Sequence, residues 1–150
     1  MQILQQACTM HTSGVSQAIV LTLLQHWGPE GLDKHIQKVQ DFYISKRNFF
    51  DTFANLHLKD LCSWTTPSAG MFFWLRVHDC NDTNQLIQQE ALQAGVLLLP
   101  GSIFSPSGEA SPHVRAAFST ASLEDIEEAI KRFGALLRKH KPQKDAQKGN

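Results

Sequence analysis

The sequence is short of the features that would send a chain into a membrane, out of the cell or onto nucleic acid. No segment approaches the roughly 20 consecutive apolar residues that a membrane span needs, so no membrane partner is expected. Cysteine is scarce: Cys8, Cys62 and Cys80 are odd in number and widely spaced, which fits neither a disulfide framework nor paired metal-ligand loops. Met1 to Ser16 has no basic flank, no cleavage site after an apolar run and no arginine, so neither a secretory signal nor a transit peptide is read there. A soluble chain in a reducing compartment, the cytoplasm or the mitochondrial matrix, is the expectation. Net charge is missing too: 14 Lys plus Arg balance 14 Asp plus Glu, and no overall field draws the chain to nucleic acid or anionic lipid.

Two kinds of chemistry are also poorly supplied. The histidines at 11, 26, 35, 57, 78, 113 and 140 show no close pair with a third carboxylate or cysteine, so no metal site is expected. Ser102, Ser105 and Ser107 share a loop, but no G-x-S-x-G elbow surrounds them, which argues against a serine hydrolase.

What remains is a chain able to build one sizeable core. At 150 residues, 42% of them hydrophobic, it can bury about 68–70% of its unfolded surface. Ser16 to Trp27 reads as a helix apolar on most sides, one that needs burial. The turn Gly28-Pro29-Glu30-Gly31 breaks it, and a second run to about Leu58 repeats Leu32, Ile36, Val39, Tyr43, Phe50, Phe53 and Leu56 close to helical period. At 1.5 Å per residue that run spans roughly 40 Å, long enough to join two bodies.

Met71 to Val77 is almost unbroken in its apolar character and predicts a central strand covered on both faces. Asp82 or Thr83 can cap a helix through Leu86, Ile87, Ala91 and Leu92, which Gly95 ends before a short strand, Val96 to Leu99. A loop from Pro100 to Pro112 follows. His113 to Ser119 then alternates Val114, Ala116 and Phe118 against His113, Arg115 and Ala117. Ser122 with Asp125 opens a last helix whose Leu123, Ile126, Ile130, Phe133 and Leu137 form one stripe that should cover the sheet. From about His140 the tail is polar and is expected to be disordered.

Arg115 is the most informative single charge, because a guanidinium in an apolar strand must be paired, hydrated or used to bind an anion. A salt-bridged or edge arginine is the first reading from the residues alone, and a carboxylate-binding fork the second; both stay open. Phe72, Phe73 and Trp74 read first as core, with one face of their strand able to line a pocket instead.

Three stretches together carry a resemblance: Pro67 to Leu75 (PSAGMFFWL), Gly95 to Gly101 (GVLLLPG) and His113 to Ser119 (HVRAAFS). In order and spacing they resemble fold-type-I, class I/II aminotransferases dependent on pyridoxal 5'-phosphate, nearest the kynurenine/2-aminoadipate aminotransferases. The likeness runs from about Met10 to Lys139. It implies an α/β fold: the small C-terminal domain, a small sheet covered by helices, preceded by helices from the large domain. Residues 1–30 would be a remnant of the large domain, 31–58 a connecting helix, 59–139 the small domain and 140–150 a disordered tail.

The resemblance also implies substrate-binding roles for Arg115, which would grip the substrate's α-carboxylate, and for Phe72, beside the substrate pocket. Gly101 is given no chemistry. The complete enzyme would move an amino group from an amino acid such as 2-aminoadipate or kynurenine to a 2-oxo acid, as a homodimer.

The family's cofactor lysine is not found. None of Lys34, Lys46, Lys59 or Lys131 stands in a Ser-x-x-Lys setting, so no catalytic residue, no covalently held cofactor and no turnover are expected of this chain alone. Two alternatives accompany that reading: a non-catalytic truncated product that pairs with a full-length subunit, and an incomplete gene model, since Met1-Gln2 reads like the interior of the family.

Overall fold

The computed structural model describes residues 2–8 and 11–140. Of the expected disordered tail, 140–150, His140 is the last residue of a helix, and residues 141–150 lie outside the described residues. The chain divides into two compact units, Met1–Phe42 and Tyr43–Asn150, and the division falls inside a helix.

The first unit is helical. Helix α1 (Gln2–Cys8), not foreseen from the sequence, precedes α2 (Gly14–His57). The predicted break in α2 is present but is one residue wide, because Gly28 alone leaves helical geometry, with φ 61° and ψ −178°. A positive φ carries no steric cost at glycine. Pro29 then restarts the helix, its fixed φ suiting a first turn where its missing N–H is not needed. Across the break Trp27 and His35 stack with centroids 4.6 Å apart. The expected burial of this helix is not met within the unit: Val15, Ile19, Val20 and Leu21 are all more than half exposed. A lone helical layer has no second layer to cover its apolar side.

The second unit holds the core. Strands β1 (Cys62–Ser63), β2 (Phe72–Val77), β3 (Leu99–Pro100) and β4 (His113–Ala117) form one antiparallel sheet in the order β1-β2-β4-β3. Helix α3 (Leu123–His140) and the second part of α2 supply the apolar cover. Phe73 is fully buried and stacks on Phe50 of α2 at 4.3 Å and against Phe118 at 5.6 Å. Burying each such side chain contributes about 1.5–3 kcal/mol.

The predicted stripe of α3 is buried at Ile126, Ile130, Phe133 and Leu137, with Leu123 left at the edge. Its start is capped as the sequence indicated: Ser122 Oγ accepts from the Asp125 N–H at 3.0 Å and donates to its carboxylate at 2.8 Å.

Four expectations change. β2 is interior, yet only Phe73, Leu75 and Val77 are buried, while Phe72, Trp74 and Arg76 face out. Leu56, placed on the inner face of α2, is exposed, and Ala54 and Leu58 are buried instead. The strand expected at Val96–Leu99 pairs only at Leu99–Pro100, because Gly95 (φ 73°) ends the preceding helix with its N–H bonded to Leu92 O, and Val96 N–H still reaches back to Ala91 O. That helix contains a π-helical segment, Leu86–Ala91. Finally, of the two candidate caps only Asp82 acts as one, its Oδ1 accepting the Asn84 N–H, whereas the Thr83 hydroxyl turns across to residues 111–113, donating to His113 O at 2.7 Å with Ser111 O at 3.2 Å.

Candidate functional site

Antiparallel pairing sets which side chains share the outer face of the sheet. Trp74 on β2 lies directly opposite Arg115 on β4, and Leu99 on β3 flanks Arg115 from the other side. Directly paired residues project to the same face, and so do residues two apart. Phe72, Trp74 and Arg115 are therefore neighbours, and Val114, Ala116, Phe73 and Leu75 face the core. The alternation read from His113 to Phe118 is the arrangement observed.

Arg115 is half-buried, and its guanidinium carbon sits over two rings: 4.2 Å from the centroid of Phe72 and 4.8 Å from that of Phe104. Stacking of this kind contributes about 0.5–1 kcal/mol at an exposed site and holds the guanidinium plane in one orientation. Lys131 pairs with Glu127, Arg132 with Glu128 and His140 with Glu90, and among the described residues no carboxylate pairs with Arg115. The salt-bridged reading of Arg115 is thus not what the structure shows. The aromatic rings lie against the guanidinium without accepting from its five N–H donors in the manner of a carboxylate.

The rings continue beyond the arginine. Trp74 meets Phe104 edge-on at 5.5 Å and lies flat on His113 at 5.3 Å. Phe72, Trp74 and Phe104 are each more than 40% exposed, so three large aromatic residues are left open around a cation that has no ion pair among the described residues. Core residues do not do this. Phe104 was not read from the sequence; it lies in a loop, on the 3₁₀ turn Gly101–Phe104. Its only signal there was an aromatic residue amid Gly, Pro and Ser.

Other reactive groups lie elsewhere. Burial pushes the Cys62 thiol up to about 12, and burial followed by the Asp82 charge raises Cys80, so neither is an activated nucleophile. Lys46 donates to the Ser119 and Ala121 carbonyls at 2.9 and 2.7 Å, pinning the end of the β4 segment to α2. No group of three His, Cys, Asp or Glu among the described residues could hold a metal ion. No helix there is long and apolar enough to cross a membrane.

No family model matches the sequence. Comparison with curated proteins gives the kynurenine/alpha-aminoadipate aminotransferase, mitochondrial, of Bos taurus, 36% identical over 134 residues, which are 89% of this chain and 32% of that protein. By structure, the multiple substrate aminotransferase of Thermococcus profundus matches with a TM-score of 0.81 at 25% identity, over 91% of this chain and 33% of that one. In sequence and in fold this chain is similar to a part of the aminotransferases. The α-aminoadipate aminotransferase LysN of Thermus thermophilus gives the same result, with a TM-score of 0.78, 25% identity and coverage of 90% and 33%. The α/β fold is that of the pyridoxal-phosphate-dependent aminotransferases. The chain spans about a third of the length of the curated relatives it matches, 32% of the bovine aminotransferase.

Proposed function

We propose that this chain supplies the substrate-carboxylate grip of an aminotransferase site, with Arg115 binding the α-carboxylate and Phe72 shaping the pocket beside it. The observation that carries this is the Arg115 guanidinium held between Phe72 and Phe104 with no carboxylate partner among the described residues. A bidentate carboxylate would complete it, each charge-assisted bond contributing about 1.5–3 kcal/mol. Similarity to kynurenine/alpha-aminoadipate aminotransferases supports kynurenine or 2-aminoadipate as amino donor, with a 2-oxo acid as acceptor, and the aromatic surroundings suit the ring of kynurenine. The relative named mitochondrial favours the mitochondrial matrix over the cytoplasm.

The cofactor's chemistry, withdrawal of electrons from the amino acid's α-carbon, needs a lysine to hold it. No lysine here stands in a Ser-x-x-Lys setting, and Lys46 and Lys131 are engaged with backbone carbonyls and with Glu127. By sequence setting, the lysine that would hold the cofactor is not among these residues. In this reading residues 1–30 belong with a large domain, 31–58 connect and 59–139 form the small domain. The complete enzyme is a homodimer.

Titrating the ¹⁵N-labelled chain with L-kynurenine or L-2-aminoadipate should give a saturable shift of the Arg115 Nε–H signal. Arg115→Gln should weaken binding at least about tenfold, the equivalent of about 1.4 kcal/mol. Equal binding by that variant would sink the assignment. Supplied with pyridoxal phosphate and both substrates, the chain alone should show no transamination.

A second reading, a non-catalytic chain that pairs with a full-length subunit, is favoured by the uncovered apolar residues between Val15 and Leu24. Co-expression with a full-length relative, followed by co-purification, tests it; separate elution at all concentrations would reject it.

A further inference from the structure

The backbone leading into β4 is held from two sides by groups that the carboxylate grip does not itself use. On one side is Thr83, fully buried at 0% exposure. Its Oγ1 donates to His113 O at 2.7 Å and approaches Ser111 O at 3.2 Å, and its N–H donates to Ser111 O at 2.9 Å. On the other side is Gly101, where a Cβ would fall 2.4 Å from Ser111 Oγ and 2.9 Å from His113 O. The two elements that place the arginine's surroundings start at this knot. β4 carries Arg115 two residues beyond His113, and the 3₁₀ turn carries Phe104 three residues beyond Gly101. The separation of Phe104 and Arg115 is therefore set where Thr83 and Gly101 grip residues 111–113.

Burying a hydroxyl without a partner costs about 1–3 kcal/mol, and an apolar residue of the same shape at position 83 would leave the His113 carbonyl without this donor. Thr83 does not cap its own helix, for its side chain turns away to another segment 28 and 30 residues on.

We propose that Thr83 is a positioning residue for the site: through the Ser111 and His113 carbonyls it fixes the entry to β4, and so keeps the Arg115 guanidinium between Phe72 and Phe104. The link to catalysis rests on Arg115 being the carboxylate grip; the placement of Arg115 does not.

The test separates these two. In the full ¹⁵N-labelled chain, an arginine stacked between two rings shows a ring-current-shifted Nε–H signal, read without ligand. Thr83→Val keeps shape and removes the hydroxyl; Thr83→Ser keeps the hydroxyl. In Thr83→Val the Arg115 signal should move at least halfway to the position of an unstacked arginine, with cooperative unfolding retained. Affinity for the probe 3-phenylpropanoate should fall roughly tenfold, about the effect of one net hydrogen bond. Thr83→Ser should keep both close to the original chain.

A folded Thr83→Val with an unmoved Arg115 signal overturns the proposal. So does a folded Thr83→Ser that loses the signal, which decides the matter even if the valine variant does not fold. If the signals behave as expected but the original chain binds no 3-phenylpropanoate, Thr83 positions Arg115 and it is the carboxylate reading that fails.

Discussion

Phe72 and Phe73 are adjacent in sequence and identical in chemistry, yet they lie on opposite sides of one sheet and do different work. Phe73 is fully buried between Phe50 and Phe118, where its value is the apolar area removed from water. Phe72 is 43% exposed and lies under the guanidinium of Arg115, where its value is orientation of a charge. The inner side is closed by α3 and α2 through Ile126, Ile130, Phe133, Phe50 and Ala54. The outer side, with Trp74, Phe104 and Arg115, keeps its apolar rings in water. Leaving such rings uncovered forgoes stabilisation that a second layer would have given, which is the energetic argument for the binding role proposed for the outer face.

The largest expected effect belongs to the inner face. Phe73→Ala removes a ring from a close-packed site and should cost about 3–5 kcal/mol, read as a drop in urea midpoint at constant m-value. A loss below about 1 kcal/mol would mean that the inner face is loosely packed, and the contrast between the faces would fail.

The inner face also has a pH signature. Burial raises the Cys62 thiol from the ordinary 9.0 to about 12. A raised folded-state value means that the folded chain keeps a proton the unfolded chain releases. Stability is then full below about pH 9 and is lost as pH rises toward about 12. The slope approaches about 1.4 kcal/mol per pH unit. Cys62→Ala lacks this contribution, so the stability difference between the original chain and the variant should shrink by that slope above pH 9. A difference independent of pH would show that Cys62 is open to solvent.

Much of this was legible in the sequence, and the failures have physical causes. β4 was read correctly because Val114, Ala116 and Phe118 alternate with polar or small residues, and period two is a strand's own signature. The cap at Ser122 and the stripe of α3 were equally plain. β2 was read as covered on both faces because the sequence does not distinguish an aromatic residue that packs a core from one that lines a site. β1, two residues long, is too short to carry a period. Thr83 has the composition of a cap, and only the fold shows that its hydroxyl reaches across to residues 111–113. In the site, Arg115 and Phe72 were reached through resemblance. Phe104 was missed because a loop has no period to place a side chain by.

The smallest effect is the one most able to break the comparison. Phe72→Leu keeps an apolar side chain on the outer face and removes the ring under Arg115. The lost cation–π contact is about 0.5–1 kcal/mol at an exposed site, and little else is lost because the residue is already near half-exposed. Its urea midpoint should therefore stay close to that of the original chain while carboxylate affinity falls severalfold. A loss of stability as large as that of Phe73→Ala would mean that the outer face is covered in solution. Phe72 would then be core, and the argument from open aromatic rings to a binding surface would no longer hold.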